Sequence, residues 1–133
     1  MAEISVHVGH ERDVEQEAWE GIVTWRTLLT AERTPTTALT VGSAEIAAGA
    51  SERGARHHHA DHEVYYFISG TGVVHIDGVE HPVEAGSVVF FPGNTSHFVR
   101  NTGDQTLKLL FVFAVDRFAD VEYVYDDEVP VPG

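Results

Sequence analysis

Apolar and polar residues alternate with a period of two along almost the whole chain, and the alternation is broken every few residues by a turn signal. That pattern belongs to half-buried β-strands, because successive side chains of a strand point to opposite faces. "ISVHVG" (Ile4 to Gly9) alternates, and so do "GIVTWRTLLT" (Gly21 to Thr30) and "TTALTVGSAEIAA" (Thr36 to Ala48), which are rich in the residue types that strands favour. "EVYYFIS" ends at Gly70, and "SVVFFP" ends at Pro92, where a ladder donor is lost. "GVVHIDGVEHPVEAG" places Asp77-Gly78 between two alternating runs, which predicts a tight hairpin. "TLKLLFVFAV" (Thr106 to Val115) puts Leu107, Leu109, Phe111 and Phe113 on one face, and "VEYVY" (Val121 to Tyr125) reads as a last strand. A short helix is expected only near "DVEQEAWEG" (Asp13 to Gly21), and the end "DDEVPVPG" is expected to fray. Short strands and turns at this density predict an all-β fold, an antiparallel sandwich or small barrel. No repeat or linker divides residues 1–133, so the chain reads as a single domain.

Composition narrows the partners. A net charge of -13 opposes nucleic acid, whose phosphates a binder must neutralise, and opposes anionic membrane surfaces. No apolar run approaches the roughly 20 residues of a membrane span, and the start "MAEISVHVGHERD" lacks the features of a signal peptide. The absence of cysteine removes disulfides, thiolate zinc sites and cysteine nucleophiles, and fits a cytoplasmic protein.

The chemistry concentrates in "RHHHADHEVYYFISG" (Arg56 to Gly70), which carries four of the nine histidines. His57 and His59 share strand parity, so they project together about 7 Å apart along the backbone. Glu63 has the same parity and offers an oxygen ligand; His97, in "GSVVFFPGNTSHFVRN", is a distant fourth candidate. Imidazole and carboxylate without thiol suit iron, manganese, nickel, cobalt or zinc. The competing reading is a solvated polar edge.

These residues resemble the two motifs of the cupin family. His57, His59, Glu63 and Gly70 fit the first, G-x5-H-x-H-x3,4-E-x6-G, although Ser51 stands where its leading glycine belongs and Gly49 lies two residues earlier. Gly86, Pro92, His97 and Asn101 fit the second, G-x5-P-x-G-x2-H-x3-N, with Asn94 in place of the inner glycine beside Gly93. The motifs span residues 51–101. The resemblance implies an antiparallel jelly-roll barrel, one divalent metal ion, and a homodimer in which "ISVHVG" is exchanged between subunits. His62, next to Glu63, is a rival fourth ligand if its loop turns inward. Four neutral imidazoles would leave the full charge on the metal and favour a redox-inert ion such as zinc.

Parity carried inward from Glu63 places Tyr65 and Phe67 in a cavity; Val99 and Asn101 share the face of His97, and Leu109, Phe111 and Phe113 form either another wall or plain core. Trp25 is a further pocket candidate. No Arg or Lys falls at an inward position, which favours a hydrophobic, oxygen-rich small molecule over a phosphorylated sugar or small carboxylate. The chain also resembles small cupins that act as aromatic polyketide cyclases in antibiotic biosynthesis. That resemblance implies metal-assisted aldol condensation, with a hydroxide on the metal, Tyr65, or whichever of His62 and Glu63 is off the metal as base. The alternatives are a cupin dioxygenase, a lyase or isomerase on the same ligands, and a binding module without turnover.

Overall fold

The Asp77-Gly78 turn sets the register of the hairpin that the sequence predicts. Both residues have positive φ, 47° and 84°, as a two-residue turn matched to strand twist requires. It joins β6 (Thr71–Ile76) to β7 (Val79–Glu84), with Ile76 opposite Val79. The computed structural model describes residues 3–52 and 56–126. The remaining strands are β1 (Glu17–Trp19), β2 (Val23–Leu29), β3 (Thr40–Ile46), β4 (His57–His58), β5 (Glu63–Ser69), β8 (Val88–Phe91), β9 (His97–Asn101), β10 (Leu107–Phe113) and β11 (Val124–Tyr125).

They form two antiparallel sheets. One has six strands in the order β1-β2-β3-β10-β5-β8, and the other five in the order β11-β4-β9-β6-β7. The sheets face each other as a jelly-roll sandwich, and the alternating residues expected to point inward do so. Along β10, Leu107, Leu109, Phe111 and Phe113 are buried while Lys108, Leu110 and Val112 are half-buried on the other face. Along β5, Glu63, Tyr65 and Phe67 are buried, and Tyr66 and Ile68 are exposed. Gly42 on β3 lets the Phe111 ring lie against the backbone; a Cβ there would overlap that ring.

One expectation fails. "DVEQEAWEG" forms no helix: only a single 3-10 turn, Glu11–Asp13, precedes β1, which pairs with β2. Its apolar residues are too few for a helical stripe, and Trp19 packs against the core from β1. "ISVHVG" forms no strand within one subunit, and Ile4, Val6 and Val8 are exposed, so the exchange between subunits is not decided by this chain alone. Alternation supplies a face, but a strand also needs a neighbouring edge, and this segment makes one backbone bond of that kind, Ser5 N–H to Pro35 O at 3.0 Å. The chain end expected to fray lies, from residue 127 on, outside the described residues. No helix among the described residues is long and apolar enough to cross a membrane.

Candidate metal centre

β4 is only two residues long, but it carries the first motif to the second. His57 pairs directly with His97 across the β4–β9 ladder. Beyond β4 the backbone is tied again, because Asn94 donates its N–H to His59 O at 2.6 Å. Asn94 takes a φ of 64°, a left-handed conformation that asparagine tolerates, so it serves where the motif has glycine. Gly93 beside it passes so close to the Ala60 carbonyl that a side chain there would collide.

The imidazoles of His57, His59 and His97 are all buried, and one ligand atom from each lies within 4.8 Å of the others. His97 Nδ1 sits 2.8 Å from Thr95 O, and His59 Nδ1 sits 2.9 Å from Asp61 O. A carbonyl can only accept, so in both rings Nδ1 carries the proton and Nε2 presents a lone pair. Glu63 Oε1 lies 3.2 Å from His59 Nε2 and 3.3 Å from His97 Nε2. His97 Nε2 is buried and has no hydrogen-bond partner among the described residues. Two lone pairs thus face a carboxylate oxygen in a buried site, an arrangement that repels itself unless a cation lies between. His59 shows the same pull. Burial opposes charge on its ring, but the hydrogen bonds and charges of Glu63 and Asp61 together outweigh burial and raise its affinity for a proton. The residues fit a divalent metal: two ligands each about 2.1 Å from a tetrahedral zinc would lie roughly 3.4 Å apart.

His62 is not part of this cluster. It is exposed, its Nδ1 accepts the Gly93 N–H at 2.8 Å, and its ring lies 5.6 Å from Phe90. β5 begins at Glu63, so parity turns His62 outward when Glu63 turns in. Asn101 is buried too, but its side chain is consumed in holding backbone, donating to Ile46 O and Gln105 O and accepting from Gly103 N–H.

A cavity of about 170 Å³ opens beside the cluster, with His57 and Glu63 in its wall. Trp25, Tyr65, Leu109 and Phe111 line it as expected. Phe67, Val99 and Phe113 do not: they are buried core packed behind it. They have the right face but the wrong depth along their strands; Phe113, for example, packs edge-on against His59 at 5.1 Å.

The cavity also holds residues that sequence reasoning missed. Tyr123 and Tyr125 stack at its rim, and Tyr123 lies 4.9 Å from the His57 ring. Their shared parity in "VEYVY" was the available signal. Trp19 lines it from β1, which was read as helix. Glu52 lines it from a loop. Burial pushes the Glu52 carboxyl up to about 7, with His97 and the Val99 N–H opposing and Glu63 adding to the rise. The Tyr65 hydroxyl is held protonated, its acidity suppressed by burial and by the charges of Glu63 and Glu52. Among the described residues the lining holds no Lys or Arg.

Comparison with known proteins places this arrangement in a family. Residues 42–113 match the cupin domain family. Dimethylsulfoniopropionate lyase DddW of Ruegeria pomeroyi is 34% identical over 103 residues, 77% of this chain and 66% of that protein. The chain therefore spans just under two thirds of that relative's length. The crystal structure of a predicted oxalate decarboxylase from Thermotoga maritima superposes with a TM-score of 0.71 at 28% identity, covering 82% of this chain and 99% of that one. Polyketide cyclase RemF from Streptomyces resistomycificus superposes with a TM-score of 0.76 at 19% identity, covering 96% of this chain and 90% of that one, and so shares the fold. Matched over more than half its length and built as two facing antiparallel sheets around a buried histidine cluster, the chain belongs to the cupin family.

Proposed function

We propose that the chain is a cytoplasmic, metal-dependent enzyme of secondary metabolism that closes a ring in an oxygen-rich ketone chain by aldol-type condensation, as a polyketide cyclase. The metal ligands are His57, His59, His97 and Glu63. The observation that carries this reading is the cavity: among the described residues, a largely aromatic and aliphatic chamber without Lys or Arg that opens onto His57 and Glu63. Beyond the metal, a small dianion such as oxalate would find no Lys or Arg clamp among the described lining residues and would meet the Glu52 carboxyl. A ketone brings no charge to desolvate.

A divalent cation on these ligands supplies Lewis acidity to a carbonyl oxygen. Zinc is the metal of choice because a condensation needs no electron transfer; iron, nickel and manganese suit the same donors. The chain's own contribution is positioning. Trp25, Phe111 and Tyr123 form walls that fold an apolar chain back on itself, bringing the carbon nucleophile to its carbonyl. Tyr65, whose hydroxyl is kept protonated by burial in the metal-free site, can donate to an oxygen. The enclosed volume of about 170 Å³ holds the reacting segment, while the rest of a long substrate lies across the mouth.

A second reading has a specific observation in its favour. The DddW relative is a lyase, and an elimination also begins with loss of a proton beside a carbonyl group. The same small chamber suits a compact substrate. Anaerobic incubation of zinc-loaded protein with a poly-β-keto thioester mimic separates these readings. Cyclisation gives a product lighter by at most water; a lyase splits a β-substituted acid in two instead. Oxygen-dependent product carrying added oxygen would overturn both in favour of a dioxygenase, and no product from either substrate would favour the binding module.

We also propose a homodimer. Tyr66, Ile68, Val88 and Phe90 form an exposed apolar face on the paired strands β5 and β8, and β8 is the edge of its sheet.

A further inference from the structure

The reaction proposed above needs a base, and the cavity offers few. His62 lies outside it, and Glu63 faces two imidazoles. Among the described lining residues one other carboxylate remains. Glu52 follows an isolated bridge between Ser51 and Arg100, and its backbone N–H donates to Val99 O at 2.8 Å. Its side chain returns to the same residue: Oε1 accepts the Val99 N–H at 3.1 Å. Both ends of Glu52 are thus clamped to β9, the strand that carries His97. Oε2 takes no hydrogen bond from the described residues, and the side chain lines the cavity. The result is a carboxylate held by one oxygen, with the other available to a bound molecule, in the chamber onto which His57 and Glu63 open.

We propose that Glu52 is the catalytic base, taking the proton from the carbon beside the substrate carbonyl and returning it after ring closure. The C–H bond breaks, its electron pair moves into the carbonyl to give an enolate, and the proton goes to Glu52 Oε2. The enolate carbon then attacks a second carbonyl, a C–C bond forms, and Glu52 gives the proton to the resulting alkoxide. Protons and charge balance, and no oxidant is required. The apolar walls serve this role, since a poorly solvated carboxylate holds a proton more tightly.

This inference rests on the carbonyl reading of the site, and the test separates the two. Wild-type, Glu52→Gln and Glu52→Asp proteins are loaded with zinc and given acetophenone in heavy water, with deuterium entry into the methyl group followed by mass. Glu52→Gln retains an acceptor for the Val99 N–H, so its fold, zinc content and quenching of tryptophan fluorescence by the ketone should match wild type. Its exchange rate should fall at least about 100-fold, the usual scale for a lost general base. Glu52→Asp should retain part of the rate. Calorimetry with 2,4-pentanedione in buffers of different ionisation enthalpy gives a readout free of turnover. Wild type should bind the enolate without releasing a proton to buffer, because Glu52 keeps it, whereas Glu52→Gln should release it. Unchanged exchange in Glu52→Gln, or proton release by wild type, overturns the role of Glu52 and leaves the carbonyl reading intact. Neither exchange nor binding by wild type overturns the carbonyl reading and Glu52 with it.

Discussion

His57 on β4 stands directly opposite His97 on β9, with ring centroids 4.5 Å apart and planes inclined by 63°. Forty residues apart in the chain, the two are neighbours on one ladder, so the site depends on a cross-strand register as well as on a motif.

The first prediction concerns metal content. His59→Ala and His97→Ala should each lose bound metal, because each removes an inward-facing nitrogen. Glu63→Gln should weaken binding by replacing the charged oxygen with a neutral amide. His62→Ala should keep its metal, since its ring serves the Gly93 N–H outside the cluster. Elemental analysis of proteins purified side by side decides this, and loss of metal from His62→Ala alone would reverse the assignment.

Metal removal should lower stability. A ligand that binds only the folded state at about 1,000 times its Kd contributes about 4 kcal/mol. Treating wild type with a chelator should therefore lower Tm by several degrees. His97→Ala should melt at the same temperature with and without the chelator. Differential scanning calorimetry checks both.

Gly93→Ala is expected to damage the site from outside. The added methyl would strike the Ala60 carbonyl, and Ala60 follows His59 in the chain. Overpacking of this kind costs about 1–3 kcal/mol. Denaturant unfolding should show that loss together with weaker metal binding, and a wild-type value for both would show that the loop yields freely.

The pH dependence of the metal-free protein should carry a signature of Glu52. Its carboxyl titrates near 7 when folded, above the ordinary glutamate value of 4.5. A raised folded value means that the stabilising contribution is full below the unfolded pKa and is lost as pH rises through the folded one. Glu52→Gln lacks this term. The stability of the variant relative to wild type should rise between about pH 5 and about pH 7 and then level. Parallel denaturant titrations of chelator-treated proteins test it, and a difference that is flat across this range would refute it.

Phe90→Glu should convert the proposed homodimer to monomer. Phe90 is 59% exposed and Val88 68% exposed on the outer face of an edge strand, where a buried charge would be costly. Light scattering at micromolar concentration reads the mass, and a wild-type monomer would remove the dimer altogether.

Local pattern determined much of this protein. Alternation located β2, β3, β5 and β10, and Asp77-Gly78 located a hairpin, because side-chain parity and turn chemistry act over a few residues. The same parity put His57, His59 and Glu63 on one face and His62 on the other. Tertiary structure decided what parity cannot see. "ISVHVG" alternates as well as any strand but finds no edge among the described residues of its own subunit, so it stays exposed. Phe111 and Phe113 share a face, yet only the depth at which the sheets separate makes Phe111 a wall and Phe113 core. Glu52 sits in a loop without periodicity, and its inward aim comes from the Val99 amide, a partner 47 residues away. Strand faces follow from neighbouring residues; cavity walls and buried carboxylates follow from which distant backbone lies across the gap.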